Sequence, residues 1–261
     1  MQPMINMALR AIRSTIDDIK MIIDREELSY TRPESIDRVI NKVNATFYEH
    51  VTKALKRAYP KAHFADYGDL RGPADTHSWH VMPLHNQTSL IHGLPDWCFS
   101  VICKKNNQPE HSLVIFPATN EEYTASRGAG ATLNERRLRV STNNELSLAF
   151  LSTNLLQDLA EAADADHILT MYRKLDEHVF DIRSGHCLPQ QLVWVAAGKL
   201  DATLMTHIYP VETTAALLIA KEAGALTGDF EGRPLTEKSD SVICANAKIL
   251  RAITQKLHTQ T

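Results

Sequence analysis

The sequence predicts an α+β protein, and two observations carry that expectation. The first sixty residues read as two amphipathic helices, with no strand signal between them. Beyond Phe64 the texture changes to short β-branched and aromatic runs separated by turn residues, and after about position 141 strand and helix patterns alternate. A boundary between a first half (1–140) and a second half (141–261), packed as one unit, is the expected organisation.

The elements follow in order. Ile5, Leu9, Ile12, Ile16, Ile19 and Ile23 recur at steps of three and four, which predicts a helix over Met4–Ile23. Arg25–Arg32 breaks the pattern. Pro33 suits the first turn of a second helix, whose buried stripe is Ile36, Val39, Val43, Phe47 and Val51 and which Pro60 ends. Strands are expected at His80–Leu84, Cys98–Lys104, Ser112–Phe116 and Glu122–Ser126. Gly128 and Gly130 mark a turn, and Leu133–Val140 reads as a further strand. Then come a helix over Leu192–Ala197 stopped by Gly198, a strand over Leu200–Thr206 and a helix over Glu212–Ala223 stopped by Gly224. A closing helix follows, with Asn246 as its N-cap.

The bulk numbers narrow the function classes. With 261 residues, 44% hydrophobic and 23% charged, the composition is that of a soluble globular protein, and a net charge of −3 gives no pull toward nucleic acid or membrane. No apolar run approaches the roughly 20 residues of a membrane helix. The four cysteines are scattered as expected for free thiols in a reducing cytoplasm. Arg136, Arg137 and Arg139 form a basic run beside Glu135, read as a solvated edge, so direct nucleic-acid binding is not expected. Cys187 reads as a buried small residue, not a nucleophile.

Several phrases resemble the inositol monophosphatase family, and within it the bacterial SuhB-like branch. They are Met1–Arg10, Tyr123–Asn134 with Arg137-Leu138-Arg139, Val195–Gly198 and Ala220–Gly224. The resemblance spans essentially the whole chain and implies a layered αβαβα sandwich and a homodimer. It also implies phosphate-ester hydrolysis on two or three magnesium ions, which want oxygen anions in a near-octahedral shell. In the family those anions come from a Glu-Glu pair, an Asp-Pro-(Ile/Leu)-Asp-Gly-Thr stretch and a Trp-Asp pair opening a late helix.

Carried onto this chain, those three places are altered. The central stretch falls on Met82-Pro83-Leu84-His85-Asn86-Gln87-Thr88, so Met82 and His85 stand where the family has aspartates. Asn86 stands where it has glycine, and Gln87 where it has threonine. The late pair falls on Val211-Glu212, and Leu217 takes a position where many relatives have a substrate-contacting glutamate. In the early pair, either Ala65-Asp66 replaces Glu-Glu or Asp66 alone covers the first ligand. Glu34 and Asn44 replace a lysine and an aspartate. Sulfur and imidazole suit softer metals than magnesium, so neither catalytic residues nor a cofactor are expected.

The resemblance therefore implies a non-catalytic protein that joins ribosomal-RNA antitermination by contacting NusA and RNA polymerase. The alternative is a weak magnesium-dependent inositol monophosphatase, or related sugar phosphatase, holding one ion on Asp66, the Leu84 carbonyl, His85 and Glu212. A third option is a ligand sensor lined by Met82, His85 and Leu217. His77, His80, His85 and His92 raise the question of a transition-metal site, for which separate surface and core histidines are the simpler expectation. Arg183 matches an arginine of the family's dimer-contact region.

Overall fold

The computed structural model describes residues 2–25, 33–66, 69–157, 159 and 165–258, and the chain packs as two compact units that meet in sequence at Glu135 and Arg136. The expected break from Arg25 to Arg32 lies, from Glu26 onward, outside the described residues.

In the first unit, α1 (Pro3–Arg25) and α2 (Pro33–Ala58) form where the apolar periodicity places them. Their stripes meet one face of a sheet: Ile5, Leu9, Ile12, Ile16 and Ile19 from α1, and Val39, Val43, Phe47, Val51 and Leu55 from α2, share a core with Trp79, Val81, Phe99, Val101 and Leu113. Phe47 stacks on Phe99 with ring centroids 3.9 Å apart. Arg13 also reaches the sheet, its Nε and Nη2 donating to the two carboxylate oxygens of Glu122 at 2.6 and 2.5 Å. The guanidinium is exposed, so this fork fixes the helix's register more than it stabilises the fold.

The strands are β1 (His63–Phe64), β2 (His77–Val81), β3 (Phe99–Lys105), β4 (Gln108–Phe116), β5 (Glu121–Ser126) and β6 (Gly130–Leu133), with a short helix α3 (Gln87–Ile91) between β2 and β3. They lie in the sheet in chain order. β1 and β2 pair parallel, and every later pair from β2 to β6 is antiparallel.

Three strand expectations need correction. The strand expected at His80–Leu84 is β2, three residues earlier, because Pro83 has no N–H to continue a ladder. The strand expected at Leu133–Val140 does not form as one piece: β6 ends at Leu133, and Asn134 and Glu135 turn with φ of 47° and 69°. β4 starts four residues before its expected position, because Asn106 and Asn107, both at positive φ (52° and 58°), make a tight hairpin with β3.

The second unit opens with β7 (Arg136–Arg137) and holds a sheet in the order β11-β12-β10-β8-β9. Its strands are β8 (Phe150–Thr153), β9 (Asp181–Ser184), β10 (Ala202–Thr206), β11 (Leu226–Gly228) and β12 (Ser241–Ala245). β8 pairs parallel with both β9 and β10, while β12 runs antiparallel to β10 and β11. Its helices are α4 (Ala165–Asp176), α5 (Leu188–Ala196), α6 (Pro210–Glu222) and α7 (Ala247–His258).

α5 is buried on nearly every side, which explains why it lacks an amphipathic pattern. It starts four residues before its expected position and, past Ala197, reaches Gly198 at φ 66°; a Cβ there would lie 3.3 Å from the Arg139 carbonyl oxygen. Asn246 is the N-cap of α7, its Oδ1 accepting from Lys248 N and Ile249 N at 3.0 Å each. Asp201 fastens the loop before β8: Ser141 Oγ donates to its Oδ1 at 2.5 Å and Phe150 N to its Oδ2 at 2.8 Å.

Candidate functional site

In the first unit the segment after β2 carries the expected central motif. Met82 is 2% exposed and its N–H donates to the Ser100 carbonyl (2.9 Å), so its thioether is sealed into the protein. Leu84 is equally buried, and its N–H donates to Asn44 Oδ1 at 2.8 Å. Asn44, singled out as a replaced aspartate, thus ties α2 to the motif's backbone.

His85 is fully enclosed. Its backbone makes a two-way bridge with Cys98, N–H to carbonyl at 2.8 and 3.2 Å, and its Nε2 lies 2.9 Å from Ser100 Oγ. Burial alone pushes its pKa down to about 4, so the ring is neutral at physiological pH. Asn86 holds the left-handed conformation (φ 59°, ψ 59°) that favours glycine, and its side-chain amide donates to Ser89 Oγ, Asp96 O and Asp96 Oδ2 at 2.8 to 3.1 Å. An asparagine serves at this corner because its short amide bonds locally while the backbone turns. Gln87 opens α3 with its side chain exposed.

Asp66 is exposed beyond β1, between Ala65, whose N–H donates to the Trp79 carbonyl, and residues 67–68, which lie outside the described residues. The four histidines do not converge. His77 Nε2 donates to Glu110 (2.8 Å), His80 Nδ1 to the Asp69 carbonyl (2.8 Å), His85 faces Ser100, and His92 is exposed after α3. His77 and His80 are three apart on β2 and so point to opposite faces. Among the described residues no three His, Cys, Asp or Glu side chains gather as a metal site.

The second unit holds the late motif. Glu212 sits half-buried in the first turn of α6, and burial raises its pKa; Val211 and Leu217 are half-buried on the same helix. Arg183 lies on β9 with its guanidinium 4.6 Å from the Trp194 ring centroid, where Lys199 Nζ also sits at 5.6 Å. Cys187 is buried at the start of α5. The sequence offered no signal for Ser100, Asp96 or Trp194, because each acts through a contact far along the chain.

Two sheets backed by helices, with a buried loop after β2 that gathers Met82, Leu84 and His85, define a layered α+β scaffold. Comparison with known proteins agrees: residues 1–261 match the model of the inositol monophosphatase family, and the chain belongs to that family. The protein called Nus factor SuhB from Pseudomonas aeruginosa is 33% identical over 97% of this chain and 95% of its own length. An inositol-1-monophosphatase from Rhizobium meliloti is 33% identical over 72% of this chain and 71% of its own. The solved structure of extragenic suppressor protein suhB from Bartonella henselae covers all of both chains with a TM-score of 0.82 at 22% identity, which bears out the fold class. No helix among the described residues is long and apolar enough to cross a membrane.

Proposed function

We propose that this chain is a non-catalytic member of its family that acts, as a homodimer, in SuhB-like transcription antitermination by contacting NusA and RNA polymerase. The observation that carries this reading is the state of Met82 and His85. One offers a buried thioether. The other offers a neutral imidazole already facing Ser100. Magnesium needs a shell of hard oxygen donors with anions among them, and sulfur or imidazole does not replace a carboxylate there. Asp66 and Glu212 supply single carboxylates only, and catalytic groups that act as a unit fail together. The residues present do not fit the family's ions. The full-length likeness to a protein named a Nus factor supports the partner half of the proposal.

Four measurements test it. The purified protein is expected to capture NusA and RNA polymerase in a pull-down; failure to bind either sinks the partner assignment. Its melting temperature is expected to stay constant when millimolar magnesium is added, with no phosphate released from inositol 1-phosphate. Turnover that a chelator abolishes and Glu212→Ala removes would instead make the chain a weak magnesium phosphatase. The Arg183 contact is tested by the oligomeric state of Arg183→Ala, expected to shift toward monomer.

A further inference from the structure

Among the described residues of the first unit, three serine–imidazole pairs lie at 2.9 Å: His63 Nδ1 with Ser78, His85 Nε2 with Ser100, and His111 Nδ1 with Ser126. Two are closed off. Ser78 is 2% exposed beneath the backbone of Gly72, where even a methyl group would come within 2.5 Å of its Oγ, and Ser100 is 1% exposed. The third pair differs. Ser126, at the end of β5, is also buried, at 6% exposed, but it borders a cavity of about 540 Å³. Thr124, Thr132, Gln2, Ile5 and Glu135 also line it.

His111 and Ser126 are directly opposed in the β4–β5 ladder, so the register of two strands sets their distance. A pair held on paired strands stays aligned without a loop to order it. His111 is itself buried, and burial lowers its pKa, with Glu110 raising it and His77 lowering it again. The ring is therefore a free base at neutral pH. Gln2 and Ile5 place the start of α1 on the same cavity. The first amides of that 23-residue helix have no partner within the helix, and its first turn carries no acidic residue to offset them. Thr124 and Thr132 hydroxyls, 2.9 Å apart, complete a polar wall.

The geometry points to Ser126 as a nucleophile, with His111 as its base, in a cavity that takes a small acyl ester. The acyl carbon forms a bond with Ser126 Oγ as the ester C–O bond breaks. The Oγ proton passes to His111 Nδ1 and from there to the departing alkoxide. A water then attacks the acyl-serine, gives its proton to the same nitrogen, and the serine recovers it as the acid leaves. No oxidant, metal or phosphate chemistry is required, so this site is independent of the family's altered phosphate centre.

The test is covalent labelling of the full chain with a fluorophosphonate probe, read by intact mass and peptide mapping. One adduct is expected, on Ser126, with Ser78 and Ser100 unlabelled as internal controls. His111→Gln is expected to slow labelling roughly a hundredfold, the lower range for removal of a general base. Thr132→Phe, which fills the cavity and leaves the pair intact, is expected to block it. p-Nitrophenyl acetate should then be hydrolysed by the wild type and not by Ser126→Ala. No adduct on Ser126 overturns the assignment, as does labelling that His111→Gln leaves unchanged; if that variant fails to fold, labelling that persists in Thr132→Phe overturns it equally.

Discussion

Replacing His85 by aspartate is expected to destabilise the protein by at least about 3 kcal/mol at neutral pH, the cost of a buried charge without a partner. The site explains the size. The imidazole is enclosed, its polar contact is the Ser100 hydroxyl, and its backbone is locked to Cys98. A carboxylate there would have one hydroxyl donor and no cation, with the thioether of Met82 three residues away in the same loop. Urea unfolding of His85→Asp beside His85→Asn separates charge from shape: the asparagine variant should lose much less. Magnesium should not rescue the aspartate variant. If His85→Asp without metal proves as stable as the wild type, the pocket is more polar than its burial implies, and the case against magnesium weakens.

Acid is expected to weaken the same spot. A free imidazole takes a proton near pH 6.5 and His85 only near 4, so between those values the unfolded chain binds a proton that the folded chain refuses. The contribution is complete above pH 6.5 and falls through that window. At about 1.4 kcal/mol per pH decade, some 3 kcal/mol are lost by pH 4. His80 and His111, both lowered by burial, act in the same direction. Glu212, whose pKa burial raises, acts in the opposite direction and offsets part of the loss. Denaturation midpoints taken from pH 7 to pH 4 check this, with His85→Asn expected to flatten the curve. An equally steep profile in that variant would place the acid sensitivity elsewhere.

The sequence made the helices legible because a stripe repeated over twenty residues has few rival explanations. α1, α2 and the cap of α7 at Asn246 fall where the apolar spacing and the polar stop signals put them. Strand ends were harder. Pro83 was available as a signal that β2 must end early, and Asn106-Asn107 as a hairpin turn, but each is a cue of one or two residues inside a run that suits β structure on either side. The resemblance set Met82 and His85 against the family's aspartates; their surroundings in this fold it did not reveal. The partners of His85 and Asn86 are Ser100 and Asp96, fifteen and ten residues further along the chain, and only strand register and the α3 turn bring them near. The three serine–imidazole pairs are each fifteen residues apart, a spacing that means nothing until the pairing of β1 to β5 is known.

The order of strands in the two sheets has a kinetic consequence. From β3 to β6 each strand pairs with the next one in the chain across a connection of at most four residues, so each of these pairings closes a short loop. β8 instead must wait for β9 and β10, which arrive only after α4 and α5 have been threaded between them. Loop closure grows dearer with separation, and chains rich in local pairings collapse to their native topology sooner. In pulse-labelled hydrogen exchange during refolding, the amides of β3, β4 and β5 should therefore become protected before those of β8 and β10.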